Sequence, residues 1–390
     1  MKGLKNIPSL LVWCTGFFIL VSTKVFSQNA FDSLKIKSPK HYFNTLISLD
    51  SYRKPDRPFK DTSDLISKRL KRYGIKQLSF YFHAPLYTKD KTSGDGTIQN
   101  THILLTGNFV SLRPVFDGLR DHNLIKFGVG LRYIYNTGKK GVWFVDMSPF
   151  VTRDITYPSS KPYYRLASTI VYSHNVSDKF NWRLGATKSF MWGNRLYLPF
   201  LGLRIGRLDK VNLSVQFPRS ISLNVPMGSK VIFSFYSRSQ GGMYNFSNAD
   251  SLYYKKNVQT FHFSRYEINT GGRFDFRVTR NFNFYVATGL STRNTISFYS
   301  DNANKKRVFY NKYFYSKSVA PTLFFNFGLV LKFGKTRSYY NNKNIYDAID
   351  LNNTSSPNNA GNAQIPLTPK KKISDLNLKS VEDLVDYNDF

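Results

Sequence analysis

The run Leu124-Ile125-Lys126-Phe127-Gly128-Val129-Gly130-Leu131-Arg132-Tyr133-Ile134-Tyr135-Asn136 alternates in character. Ile125, Phe127, Val129, Leu131, Tyr133 and Tyr135 share one face, against Lys126, Gly128, Gly130, Arg132 and Asn136 on the other. Successive side chains of a strand leave opposite faces, so a period of two is the strand signal. The run is also long: ordinary strands have about 5–6 residues, and about 9–11 cross a bilayer when tilted. A soluble sandwich turns its apolar face inward, whereas an outer-membrane barrel turns it toward lipid and keeps the lumen polar. A mid-strand arginine with apolar residues on both sides fits the second arrangement.

The same pattern extends outward from this run. Phe180–Phe190 sets Trp182 and Leu184 against Arg183. Residues 261–278 set Phe274 and Phe276 against Arg265, Glu267, Arg273, Asp275 and Arg277. Residues 321–335 set Phe327 and Leu331 against Asn326 and Gly328. Turn chemistry separates such segments at Thr137-Gly138, Ser177-Asp178, Gly193-Asn194, Asp209-Lys210 and 226–229. The expected fold is all-β: one antiparallel transmembrane barrel of about 12 strands over residues 77–335. Pro218 is the ambiguity, because proline cannot donate to a ladder and either bulges segment 211–225 or splits it. Phe127, Leu131, Trp182, Leu184, Phe274, Phe276, Phe327 and Leu331 are expected to face lipid.

The flanks read differently. Residues 1–27 form a secretory signal, with Lys2 and Lys5 before the apolar run Ile7 to Val21. Residues 28–76 read as a polar periplasmic extension, containing a short helix over Asp61–Tyr73 capped by Ser63 and stopped by Gly74. Residues 336–390, rich in Asn, Ser, Lys and Pro, read as a largely disordered periplasmic tail. An even strand number puts both termini in the periplasm. The long segments 88–100, 247–260 and 300–318 then fall outside, the tight turns 193–194 and 226–229 fall inside, and a count of 12 puts 177–179 and 209–210 outside.

Composition agrees with strands over helices. Of 24 acids only Glu267 and Glu382 are glutamate, and aromatics make up 16%. Cys14, the single cysteine, lies in the signal, so disulfides and thiolate metal sites are excluded from the mature chain. The formal charge of +32 would suit nucleic acid, but no binding module appears and export argues against one. Basic hairpin tips instead suit phosphorylated lipopolysaccharide or acidic periplasmic partners, or simply keep the strands solvated.

Asn326-Phe327-Gly328-Leu329-Val330-Leu331-Lys332-Phe333 resembles the C-terminal assembly signal of bacterial outer-membrane proteins. Asn326, Gly328, Leu331 and Phe333 match its positions, although the chain continues 57 residues further. The resemblance implies recognition by the barrel-assembly machinery. From the signal to Lys335 the chain is similar to uncharacterised outer-membrane β-barrel proteins of Gram-negative bacteria, of unknown function. That similarity implies residence in outer-membrane lipid and brings no active residues.

Chemistry is sparse. Six histidines show no HxH or HxxxH spacing, so no metal site and no cofactor is expected. Ser173 and His174 are adjacent in a strand and therefore point to opposite faces. His83 has inward parity, for which a structural role is the plainer reading. The charged constellation is the row Arg265, Glu267, Arg273, Asp275, Arg277, with Arg132, Arg183 and Arg293 on other strands. It reads either as an ion-selective pore lining or as a self-neutralising ladder filling the lumen, the ladder being the simpler reading. The expected function is non-enzymatic, a narrow channel or a structural barrel. The alternatives are a lipid-modifying enzyme of deacylase or phospholipase type, and a barrel component of a secretion or adhesion complex.

Overall fold

The computed structural model describes residues 45–92, 98–137, 140–190, 195–207, 209–252, 258–279, 281–299 and 313–333. The expected signal and tail lie outside these residues. In strand β4, Leu124–Asn136, burial alternates residue by residue, with Phe127, Val129 and Leu131 exposed and Gly128, Gly130 and Arg132 buried. Fourteen more strands follow or precede it in one antiparallel sheet. These are β1 (Thr45–Pro58), β2 (Arg72–Thr92), β3 (Ile98–Phe116), β5 (Gly141–Asp154), β6 (Tyr163–Ser177), β7 (Phe180–Ser189) and β8 (Leu196–Ile205), then β9 (Asn212–Phe217), β10 (Ser220–Met227), β11 (Val231–Ser247), β12 (Thr260–Arg277), β13 (Phe282–Tyr299), β14 (Tyr313–Ser318) and β15 (Thr322–Phe333).

From β1 to β13 each strand pairs with its sequence neighbours, and β15 closes the ring against β1 (Thr45↔Phe333 to Arg53↔Phe325) and β13. The closed barrel has 14 strands, with β14 as one extra strand on the same edge of β13 as β15. The expectation of about 12 is therefore corrected, for two reasons. The supposed extension 28–76 contributes β1 and the start of β2, so the barrel begins well before residue 77. Pro218 does split its segment: Pro218-Arg219 turns β9 into β10.

A short helix, α1 (Leu65–Leu70), links β1 to β2. Its cap is Asp64, not Ser63: the Asp64 carboxylate accepts the Ser67 N–H at 2.8 Å. The helix ends at Lys71, whose φ of 52° breaks the spiral, so Gly74 lies in β2 rather than stopping a helix.

Residues 45 and 333 lie at the same end, where β2, β4, β6, β8, β10 and β12 finish and the turns 178–179 and 228–230 lie. At the opposite end β1, β3, β5, β7, β9, β11 and β13 finish, and the fully described connections there are 59–71, 117–123, 155–162 and 218–219. The described ends of the expected outer segment 247–260 lie opposite the termini, while most of segment 300–318 lies outside the described residues. The described parts of segment 88–100, the end of β2 and the start of β3, lie instead at the terminal end, and residues 93–97 lie outside the described residues. Turns 177–179 and 209–210 move to the terminal end because the added β1 shifts the parity, which the later split at Pro218 restores for 226–229; the expected turn 193–194 lies outside the described residues.

At that opposite end the barrel is filled. Strand β10 starts at Ser220, opposite Arg238, so residues 239–247 of β11 rise beyond its edge. There both faces of β11–β13 are buried. Tyr244, Phe246, Phe261, Phe263, Ile296 and Phe298 pack with Tyr52, Tyr73, Leu112, Phe116 and Leu124 from the inner wall of β1–β4. On the reverse face, Met243 and Tyr299 pack with Phe150 of the β5 inner wall and with Phe190. The sheet therefore leans across the interior and meets both walls. Each such aromatic or aliphatic burial is worth about 1.5–3 kcal/mol.

Candidate functional site

Inward parity along β1 places Asp50, Tyr52 and Lys54 in the interior, all nearly inaccessible. Lys54 Nζ donates to Glu267 Oε2 of β12 at 2.5 Å and to Asn294 Oδ1 at 2.9 Å. Glu267 also accepts from the Tyr52 hydroxyl at 2.9 Å and faces Arg265 Nη1 at 3.6 Å. Arg265 in turn donates to Gln77. Two cations thus converge on one carboxylate, with almost no solvent. A charge taken out of water this completely persists only when paired and hydrogen-bonded.

A second chain of contacts lies on β12, β13 and β1. Arg273 donates to Asp275 two residues along its own strand at 2.6 Å, and its guanidinium lies 3.7 Å from the Tyr285 ring centroid. Tyr285 donates to Asp50, which also accepts from Asn326 Nδ2 at 3.2 Å. Gly328 is needed here, because a Cβ would come within 2.2 Å of the Tyr285 ring. Elsewhere Arg132 donates to Asp146 at 2.9 Å, and Arg183 Nε to Asn181 at 3.1 Å.

Of the row read from the sequence, Arg265 pairs with Glu267 and Arg273 with Asp275 in these two separate groups, and Arg132 and Arg183 are buried on other strands. Arg277 is exposed at the end of β12. Arg293 is not part of the interior cluster: it sits exposed with φ 46° at a bulge, and Asn294 takes the inward position beside Glu267. Among the residues matched to the assembly signal, Asn326 and Gly328 serve the interior, while Leu331 and Phe333 are exposed.

The filled end holds a constellation that sequence reading missed. His122 Nδ1 is 2.6 Å from Asp154 Oδ2, and Nε2 is 3.2 Å from Asp250 Oδ2. The imidazole stacks on Phe246 at 3.8 Å between centroids. A general base needs one nitrogen turned to a nucleophile or substrate. Here both nitrogens are taken by carboxylates and a ring face is covered, so His122 ties the 117–123 and 248–252 segments to β5. Nearby, Arg165 of the β6 inner wall reaches His262 Nδ1 at 3.1 Å and Asn245 at 3.4 Å on the leaning sheet. The signal that could have flagged Asp154 is its parity with Asp146, Ser148 and Thr152 along β5.

Ser173 is buried, accepting from Asn181 at 2.9 Å, while His174 packs against Trp182 on the other face. His83 is buried beside Tyr81. Among the described residues no group of three or more His, Asp or Glu side chains is arranged to hold a metal ion. Outside the strands, Lys317 and then Ser63 hold the Asp61 carboxyl well below the usual carboxylate range.

Several solved structures are similar over most of the chain at low identity. The β domain of the Bordetella autotransporter Brka is 10% identical with a TM-score of 0.28, over 74% of this chain and 99% of that one. The transport unit of the autotransporter AIDA-I from Escherichia coli is 8% identical with a TM-score of 0.28, over 82% and 96%. Pseudomonas aeruginosa OpdQ is 8% identical with a TM-score of 0.22, over 74% and 98%. No curated protein matches the chain in sequence. A family model described as a domain of unknown function, DUF6268, matches residues 58–332, from the end of β1 into β15, and the chain belongs to that family.

Proposed function

We propose that the protein is a non-enzymatic outer-membrane barrel with a closed interior, structural rather than conducting, with both termini on the periplasmic side. The observation that carries the membrane reading is the outer wall. Leu49, Leu131, Ile170, Leu201, Phe235 and Leu290, from strands spaced around the ring, are each 40–54% exposed. A belt of this kind far exceeds the apolar patches of a few hundred Å² that soluble monomers show, and it becomes favourable when lipid covers it. The short turns 178–179 and 228–230 at the terminal end and the longer connections 59–71, 117–123 and 155–162 opposite support the orientation, Pro218-Arg219 being the short exception there, since barrels of this class keep short turns in the periplasm.

Closure is supported by the leaning β11–β13 sheet and by the pairing of interior charges, since a selective pore needs charge left available to the solute. The engaged state of His122 and the opposed faces of Ser173 and His174 speak against the lipid-modifying alternative. The test is planar-bilayer recording of the purified full chain. No stable conductance steps are expected from vesicles in which the protein is demonstrably inserted; regular ohmic openings would replace this reading with the channel.

A further inference from the structure

The outer wall of β1–β3 carries three cations side by side. Arg53 pairs in register with Lys76, and Lys76 with Arg113. All three have outward parity and are exposed. Cross-strand neighbours have Cβ atoms about 4.5–5.5 Å apart, so three positive charges fall within about 10 Å. Like charges placed directly opposite destabilise a sheet. The outward positions around the row are Ser51, Gly74, Leu78, Ser111, Val115 and Phe325, none acidic. The nearest carboxylate along β1, Asp56, is committed to Arg72 at 2.9 Å. Among the described residues none of the three cations has an acidic partner.

The row also sits at a definite height. Four residues along each strand toward the terminal end lies the apolar row Leu49, Phe80 and Phe109, which pair in register. At about 3.3 Å per residue this is about 13 Å of strand. The cations therefore stand at the upper rim of the apolar belt, beside the end with the longer connections, where headgroups would lie. We infer that Arg53, Lys76 and Arg113 form a binding site for the phosphate of a lipid headgroup in that leaflet, which supplies the missing counter-charge. Arginine and lysine both suit phosphate, arginine through its two-pronged fork. Exposed Leu78 and Phe325 offer apolar contact to the acyl chains below. This inference rests on the membrane reading above.

The experiment titrates the detergent-purified full chain with three probes and reads retained lipid by native mass spectrometry. The probes are a bis-phosphorylated glucosamine-disaccharide lipid, the same lipid dephosphorylated, and inorganic phosphate as competitor. The wild type should hold the phosphorylated lipid on the order of a hundredfold more tightly than the dephosphorylated one, each cation near a charged surface contributing a factor of about five. The triple variant Arg53→Gln, Lys76→Gln, Arg113→Gln should lose that preference, and Arg53→Lys with Arg113→Lys should keep most of it. Should the triple variant fail to fold, Lys76→Gln alone, at the centre of the row, should lose about fivefold. Unchanged preference in a folded variant overturns the site, as does inorganic phosphate competing at the lipid's own affinity. Failure of the wild-type chain to stay with membranes overturns the membrane reading as well. Insertion without phosphate preference overturns this inference alone.

Discussion

Replacing Glu267 by glutamine tests whether the interior is held by a charge cluster with two cations and one anion. Lys54 and Glu267 side chains are 1% and 2% exposed, and Lys54 Nζ lies 2.5 Å from the carboxylate, with Arg265 at 3.6 Å. Glu267→Gln keeps the shape and a hydrogen-bond acceptor for Tyr52, but leaves both cations buried without an anion. Breaking a buried pair by removing one partner costs about 3–5 kcal/mol, and here the partner removed serves two cations. Lys54→Met acts differently. It removes one cation, fits an unbranched apolar side chain into the same space, and leaves Arg265 and Glu267 balanced one to one. Its cost should fall below that of Glu267→Gln, at about 1–3 kcal/mol from the lost hydrogen bonds to Glu267 and Asn294. Urea unfolding of the barrel from lipid vesicles, followed by tryptophan fluorescence, measures both. The order is what matters. If Lys54→Met destabilises as much as Glu267→Gln, the carboxylate is not the common anchor and the charge argument fails.

On the outer wall, Leu131→Arg places a cation on the exposed face of β4 beside Phe127 and should cost about 2–4 kcal/mol in vesicles if it lies at mid-depth, with little loss in detergent; equal effects in both would refute the lipid-facing assignment. Asp61, whose carboxyl is held below its unfolded value, contributes stability that is present above the ordinary carboxylate range and lost only as pH falls through its lowered folded value. Lys317 faces both Asp61 and the α1 cap Asp64, so protection factors of the Lys68 amide in α1 and of the Lys71 amide that closes it should stay flat from about pH 9 to about pH 5, and a decline within that window would remove the Asp61–Lys317 pair as a support of α1. For orientation, Thr156→Cys should react with a membrane-impermeant maleimide on intact cells and Asp178→Cys should not; the reverse pattern would invert the barrel.

How much of this was legible without coordinates differs from element to element. In β4 the alternation of Phe127, Val129 and Leu131 with Gly128, Gly130 and Arg132 is itself the inside-outside assignment, because the strand period is two and a slip of one residue would put Arg132 into hydrocarbon. For β1 the same logic was hidden: its outer face offers Ile47 and Leu49 and then Ser51 and Arg53, its inner face carries Leu46 and Tyr52, and the prolines at 55 and 58 suggest a loop. With β1 unread, Lys54 had no place beside Glu267, and the row on β12 could be seen only as unpaired or paired with the wrong strands. His122, Asp154 and Asp250 come from three distant segments that nothing in their spacing joins. Nor does the pattern of 239–247 and 261–265 announce that both faces become buried, since alternation states which residues share a face and not what covers it. Local periodicity therefore determined the all-β barrel and the facing of its longest strands, as these depend on backbone geometry and the cost of charge in lipid. Strand number, the closing of the interior and the pairing of its charges were decided by tertiary structure alone, because they depend on which remote wall the sheet meets.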